Sequence, residues 1–447
     1  MTPPALPSNL GLDSALRAVE TTPLHENKGS VTRVVGLVIE SHGPTISLGE
    51  VCKIHSRETG RVSTAEVVGF QDKRVLLMPL EGIEGIHPGS EVLASGDPLQ
   101  LPVGDILKGR VLDALGRPID NKGPIHAQEF APLRHEPPHA LNRRRIERPF
   151  CTGIRAIDAM ITCGEGQRVG IFAGSGVGKS TLLGMIARNA RCDVNVIGLI
   201  GERGREVREF IEKDLGAEGM ARSVVVVATS EQPALLRVKG ALASTSIAEH
   251  FRSKGKSVLL MLDSLTRIAM AQREIGLSVG EPPATRGYPP SVFGLLPQIT
   301  ERAGMDDRGA ITAFYSVLVE ADDFNDPISD AARSILDGHI QLSRELASSN
   351  HFPAIDVLES ISRLMSDVAA PSHKQLAGQI RDSMAIYRRN RDLVQVGAYT
   401  AGTNPALDQA IQIQEPVSRF LRQLVSESCS LEQAIAQMQT AFNTGKK

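Results

Sequence analysis

Tryptophan is absent from the 447-residue chain, tyrosine occurs four times and phenylalanine twelve. So few aromatic side chains argue against a nucleic-acid surface built on stacked bases, which needs aromatics interleaved with basic residues. A formal net charge of −2 argues the same way, and no nucleic-acid partner is expected. Cysteine is scarce too. The five residues Cys52, Cys151, Cys163, Cys192 and Cys429 are odd in number and scattered, with no C-x-x-C pair. That pattern excludes a disulfide framework or a zinc ribbon and reads as reduced thiols of a cytoplasmic protein. No apolar run approaches the ~18 residues of a membrane span. The opening MTPPALPSNLGLDSALRAVE lacks a basic stretch followed by an apolar one, so no leader is expected and any membrane association should be peripheral.

What is present divides the chain into four parts. Residues 1–28 read as a tail, with one short helix around Leu12–Val19. From 29 to 98, short β-branched runs (VTRVVGLVIE, AEVVGF, RVLLMPL) separated by HGP, DK and HPGS indicate a small closed β-barrel. Residues 99–372 hold a Pro- and Gly-rich connector, with the basic run NRRRIER at Asn142–Arg148, and then strands alternating with helices, the pattern of a mostly parallel α/β domain. The run by itself reads as a solvated face or linker. Residues 373–447 are helical, with LDQAIQIQ and LEQAIAQMQTAF as amphipathic segments.

The most informative stretch is IFAGSGVGKST, residues 171–181. An apolar strand, a Gly-rich turn and then a helix place backbone N–H groups around an anion, with a lysine reaching its outer phosphates. Ala173 stands where the P-loop pattern has its first glycine, a mild departure because only a small residue is needed there. Gly174, Ser175, Gly176, Val177, Gly178, Lys179, Ser180 and Thr181 are therefore the expected ATP cradle, Lys179 neutralising β/γ-phosphate charge and Ser180 ligating Mg²⁺. Three later apolar strands, Val194–Ile200, Ser223–Val227 and Val258–Leu262, end just before polar residues, where open α/β sheets bind ligands. Asp263 follows one of them as a Walker B carboxylate should, a second Mg²⁺ ligand. Glu202 follows another and is expected to polarise the attacking water rather than to be a surface carboxylate.

Beyond these motifs the chain resembles the catalytic ATPases of bacterial type III protein export, relatives of the catalytic subunits of rotary ATP synthases. The resemblance is carried by GLIGERGREVREFIE, MLDSLTRIAMAQREI, GEPPATRGYPPSVFGLLPQITERAG and PAIDVLESISR. It implies an N-terminal β-barrel, a RecA-like P-loop NTPase core of α/β class and a C-terminal helical domain, assembled as a homohexamer. It implies an Mg²⁺-dependent ATPase that energises or assists protein export. It further implies partners: a stalk and regulator of the export apparatus, chaperones and cargo, and peripheral association with the inner membrane.

Residue by residue, the resemblance makes Glu202 the catalytic carboxylate with Arg203 beside it. Asp263 becomes the Walker B acid with Arg267 nearby, and Arg363 an arginine finger offered to the neighbouring subunit's nucleotide. Phe352 and Tyr399 match two adenine-flanking aromatics, although periodicity alone would make both core residues. The loop Leu277–Phe293, with Arg286 and Tyr288, faces either a central partner or only its own scaffold. Asp322, Asp323 and Asp326 either sense the nucleotide or cap a helix. Within the family, GSGVGKSTLLGM and DPISDAARSILDGHIQLSRELA look flagellar. The ATPase of a virulence injectisome is the alternative, and a rotary ATP synthase subunit a more distant one.

Overall fold

The computed structural model describes residues 27–56, 60–319 and 326–444. The tail with its helix around Leu12–Val19, and Asp322 and Asp323, lie outside the described residues. The chain divides into two compact units, Met1–Pro98 and Leu99–Lys447.

In the first unit six strands close into a barrel: β1 (Lys28–Val35), β2 (Val38–His42), β3 (Glu50–His55), β4 (Val62–Gln71), β5 (Arg74–Pro79) and β6 (Glu91–Pro98), in the order β1-β2-β5-β4-β3-β6. Alternate residues point inward, and Val31, Ile39, Ile54, Val67, Leu77 and Val92 fill the interior. Closure leaves no unpaired edge. Gly29 passes so close to the next loop that a Cβ there would stand 2.3 Å from the Gly43 carbonyl, so only glycine fits.

In the second unit the central sheet runs β14-β13-β8-β12-β11-β9-β10-β7. Its strands are β7 (Arg110–Asp113), β8 (Arg168–Ala173), β9 (Val194–Ile200), β10 (Ser223–Ala228), β11 (Ser257–Asp263), β12 (Ala310–Leu318), β13 (Gly338–Leu342) and β14 (Ile355–Ser362). All neighbours are parallel except β13 and β14, which pair antiparallel. Strands β9 and β10 are buried at every position because both faces of the sheet are covered, which is why they read as unbroken apolar runs.

The connector is more than a linker: its RVLD segment adds β7 to the sheet edge beside β10. The basic run is likewise anchored, Arg143 donating to the Ala303 carbonyl at 2.8 Å and to that of Glu301. The helices Pro371–Gln395, Pro405–Leu421 and Leu431–Thr444 follow the sheet, and Ile380, Val417, Phe420 and Phe442 join the same apolar core as Ile157 and Phe314. All five cysteines are free thiols.

The proline-rich loop is shorter than the sequence suggests. The helix Leu265–Ser278 runs into its start, and Pro290 begins the helix Pro290–Thr300, where a missing N–H costs nothing. Tyr288 is buried, with the Arg273 guanidinium 5.2 Å from its ring centre, whereas Arg286 is exposed.

Candidate functional site

The Gly-rich loop leaves β8 at the carboxyl edge of the sheet and enters the helix Lys179–Asn189. Gly178 caps that helix at φ 87°, a left-handed conformation glycine adopts without strain. Two neighbouring strands deliver the acids. Asp263 is the last residue of β11, and Glu202 follows β9, held there by the Gly201 N–H on the Ala228 carbonyl (2.6 Å) and the Ser230 N–H on its own carbonyl (3.0 Å).

Lys179 sits between them. Its ammonium donates to Asp263 and to Glu202 (3.4 Å), and the three side chains are 11%, 6% and 12% exposed. The Ser316 hydroxyl on β12 donates to the same Asp263 oxygen at 2.5 Å. Burial alone would lower the Lys179 pKa, but the charges of Asp263 and Glu202 outweigh it and hold the ammonium above its ordinary value. Burial pushes the Glu202 carboxyl up; Lys179 opposes this, while Asp263 and a hydrogen bond that protonated Glu202 donates to Glu206 reinforce it. The net shift is upward, to about 7. A carboxylate so tuned suits proton transfer at neutral pH.

Ser175 on the loop and Ser180 in the first turn of the helix are exposed, and Thr181 donates to Asp214. Arg267, beside Glu202, lowers its pKa, and its stem packs over Gly201. Arg203 faces away, 74% exposed, with its guanidinium 3.7 Å from Glu206.

Against the loop lies a cavity of about 570 Å³. One wall is a face of the P-loop helix with Gly178, Thr181, Leu182 and Met185; opposite stand Phe352 and Pro353. A Cβ on Gly178 would be 3.6 Å from the Phe352 ring. Leu424 and Val425 complete the lining, which the sequence reading missed. Their signal was an apolar pair directly after an amphipathic helix, left 67% and 49% exposed. Gln423 fixes this segment: its N–H donates to the Phe352 carbonyl (3.0 Å), its side-chain N–H to the Gly153 carbonyl (2.8 Å), and its side-chain oxygen accepts from Arg155 N–H (2.8 Å).

Tyr399 does not line this cavity. It lies in the turn between Pro371–Gln395 and Pro405–Leu421, where its hydroxyl donates to Asp408 (2.9 Å) and to the Asn404 carbonyl (3.1 Å). Periodicity could not separate it from Leu424 and Val425, since both segments flank the same helix. Asp326 caps the helix Pro327–Ile335, accepting from Ile328 and Ser329 N–H groups.

Arg363 is placed elsewhere. Its N–H donates to the Asp337 carbonyl, and Asp337 N–H donates to that of Arg168, the first residue of β8. It therefore marks the amino edge of the sheet, opposite the P-loop. Its exposed guanidinium donates to the Arg333 carbonyl at 3.3 Å and has no salt bridge among the described residues.

Three known domains match the chain in this order. Residues 31–96 match the β-barrel domain of the ATP synthase alpha/beta family, 153–362 its nucleotide-binding domain, and 369–440 the T3SS EscN ATPase C-terminal domain. The flagellum-specific ATP synthase of Bacillus subtilis strain 168 is 51% identical over 426 residues, covering 95% of this chain and 97% of the relative. The type 3 secretion system ATPase of Xanthomonas euvesicatoria is 50% identical, covering 94% and 95%. Among solved structures, the assembled ATPase EscN of the enteropathogenic E. coli type III secretion system superposes with a TM-score of 0.88 at 44% identity, over 93% of this chain and all of that one. EscN in complex with its central stalk EscO gives 0.85 at 43%, with the same coverage. No helix among the described residues is long and apolar enough to cross a membrane. The chain belongs to the ATP synthase alpha/beta family, in the branch of the flagellum-specific ATP synthases and type 3 secretion system ATPases.

Proposed function

We propose that this ATPase acts as a homohexameric ring that energises type III protein export, in the flagellar branch. The observation that carries the catalytic part is Lys179 held between Asp263 and Glu202 beside a Gly-rich helix start. In this reading the N–H groups of residues 174–181 cradle the ATP phosphates, and Lys179 turns from the acids to the β/γ-phosphates. Glu202 then orients the attacking water and accepts its proton, with Arg203 and Arg267 as nearby cations.

The donor set at the loop, the Asp263 carboxylate and the Ser180 hydroxyl, is all oxygen, which suits Mg²⁺. Magnesium bound there would supply charge that stabilises phosphoryl transfer. Phe352, Leu424 and Val425 receive the adenine ring. Arg363 serves the nucleotide of the next subunit. The ring would take a central stalk, as EscN is found in complex with its central stalk EscO, and would meet a regulator, export chaperones and cargo from the cytoplasmic side, with peripheral inner-membrane association.

The flagellar assignment rests on GSGVGKSTLLGM and DPISDAARSILDGHIQLSRELA. The injectisome reading has its own support in the 50% identity to the Xanthomonas enzyme. Deletion scored for motility and for effector secretion separates them, and loss of motility alone decides for the flagellum. For the chemistry, Glu202→Gln should bind Mg-ATP while hydrolysing it very slowly. Turnover within about threefold of wild type would remove Glu202 from catalysis.

A further inference from the structure

The basic run Asn142–Arg148 has no part in the chemistry above, yet it builds a second cavity of about 570 Å³ at the opposite end of the sheet. With Arg143 pinned to the 301–303 turn, Arg144, Arg145 and Arg148 line this cavity. Lys256, just before β11, and Arg308, just before β12, join them. Asp193, Ser257 and Ala310 in its wall stand at or beside the first residues of β9, β11 and β12. The cavity thus lies under the amino edge of the sheet, away from the P-loop.

Its charge is unbalanced. Three carboxylates face five cations, and two of the three are engaged with Ser257: Glu165 accepts from its hydroxyl at 2.6 Å and Asp193 from its N–H at 2.9 Å. The side chains of Arg145, Arg148 and Lys256 make no hydrogen bond or salt bridge among the described residues, the bonds of Arg148 and Lys256 being through their backbones. Among the described residues the Arg144 side chain makes one bond, from Nε to the Asp306 carbonyl (2.8 Å), and the Arg308 guanidinium a long one to the Ser253 carbonyl (3.4 Å), with an exposed Asp307 at 3.9 Å. Like charges gathered in a concave site repel one another until a counter-ion enters.

We propose that this cavity is a second anion site, which takes a phosphorylated small molecule by a diphosphate group. Four arginine forks and one ammonium are donors of the kind that bind phosphate oxygens. The lining has no aromatic side chain, so the ligand is held by its phosphates and not by stacking of a base.

Calorimetric titration of the full-length chain with magnesium-free pyrophosphate tests this. Wild type should show two sites per chain, Lys179→Ala one, and the double variant Arg145→Ala/Arg148→Ala only that of the P-loop. Losing each guanidinium should weaken the second site about tenfold, and added salt should weaken it further. ATP turnover and KM of the double variant should match wild type, which certifies its folding. A single site in wild type, or two undiminished sites in the double variant, overturns the proposal. So does a double variant with altered self-association when no second pyrophosphate site exists, since the cavity then faces an acidic protein surface.

Discussion

Arg363 provides the sharpest test of how the site and the assembly depend on each other. Through Asp337 it is level with Arg168, the first residue of β8, and the P-loop begins after Ala173, the last. At about 3.3 Å per residue, six residues of strand put roughly 20 Å between them, beyond the reach of a side chain. Arg363 therefore cannot touch the nucleotide held by its own P-loop. Among the described residues its side chain makes one hydrogen bond, the 3.3 Å contact to the Arg333 carbonyl, so Arg363→Ala should change folding stability by no more than about 0.5 kcal/mol. Its effect on turnover should be far larger, about 10³–10⁵-fold, the range for a guanidinium that neutralises transition-state charge. Lys179→Ala is the complement: its cradle is dead and its finger intact. Neither protein alone should hydrolyse ATP. In an equimolar mixture a sound finger meets a sound cradle at about a quarter of head-to-tail interfaces, and steady-state phosphate release should recover to that order. A mixture that stays inactive although mixed rings form, or dilute monomer working at the full rate, would refute the trans-acting role.

Phe352→Ala should raise the KM for ATP two- to tenfold with a smaller fall in kcat, because stacking contributes about 0.5–1.5 kcal/mol and acts alike on ground and transition states. Tyr399→Phe should leave KM unchanged in the same steady-state assay, since its hydroxyl serves the turn at Asn404 and Asp408. Asp158 offers a pH test. Burial pushes its carboxyl up to about 6, against hydrogen bonds from Thr152, Gly153 and Cys151. The folded protein then holds a proton that the unfolded chain releases near pH 4, so this group's contribution to stability falls as pH rises from about 4 to 6 and is level above that. Asp158→Asn should lack that slope in urea midpoints at pH 4.5 and 7, and an identical pH difference in both proteins would contradict the assignment.

The readability of the chain followed the range of the interactions involved. The P-loop declared itself because its function is local: strand, glycines, lysine and helix are contiguous. Strands β9, β10 and β11 were legible because burial on both faces leaves continuous apolar runs. Strand β7 was not, since four residues in a Pro- and Gly-rich connector become a strand only by pairing with β10, more than a hundred residues away. The base cavity failed in the same way. Phe352 was found through the motif beside it, but the opposite wall, Leu424 and Val425, is set by Gln423 bonding Phe352, Gly153 and Arg155. No spacing within the final helices encodes that meeting. The proline loop shows a narrower error: it was read as running on to Phe293, whereas Pro290 opens a helix, where its fixed φ is compatible with the first turn.

The two edges of one sheet also constrain what the molecule can be as an assembly. A parallel sheet presents its carboxyl ends on one side, and here these carry the P-loop, Asp263 and Glu202. Its last strand, β14, runs antiparallel and so returns the chain to the amino edge, where it delivers Arg363. With the proposed roles, a cradle on one edge and a finger on the other are completed when the finger edge of one subunit meets the cradle edge of the next in a head-to-tail arrangement. Such an interface is heterologous, and it either closes into a ring or continues as a filament. The proposed base cavity adds a second constraint, since its walls are the P-loop helix and the segment after Pro405–Leu421, and an adenine held there would touch both. A nucleotide bound as proposed would therefore contact the C-terminal segment and meet the neighbouring subunit's Arg363 at once.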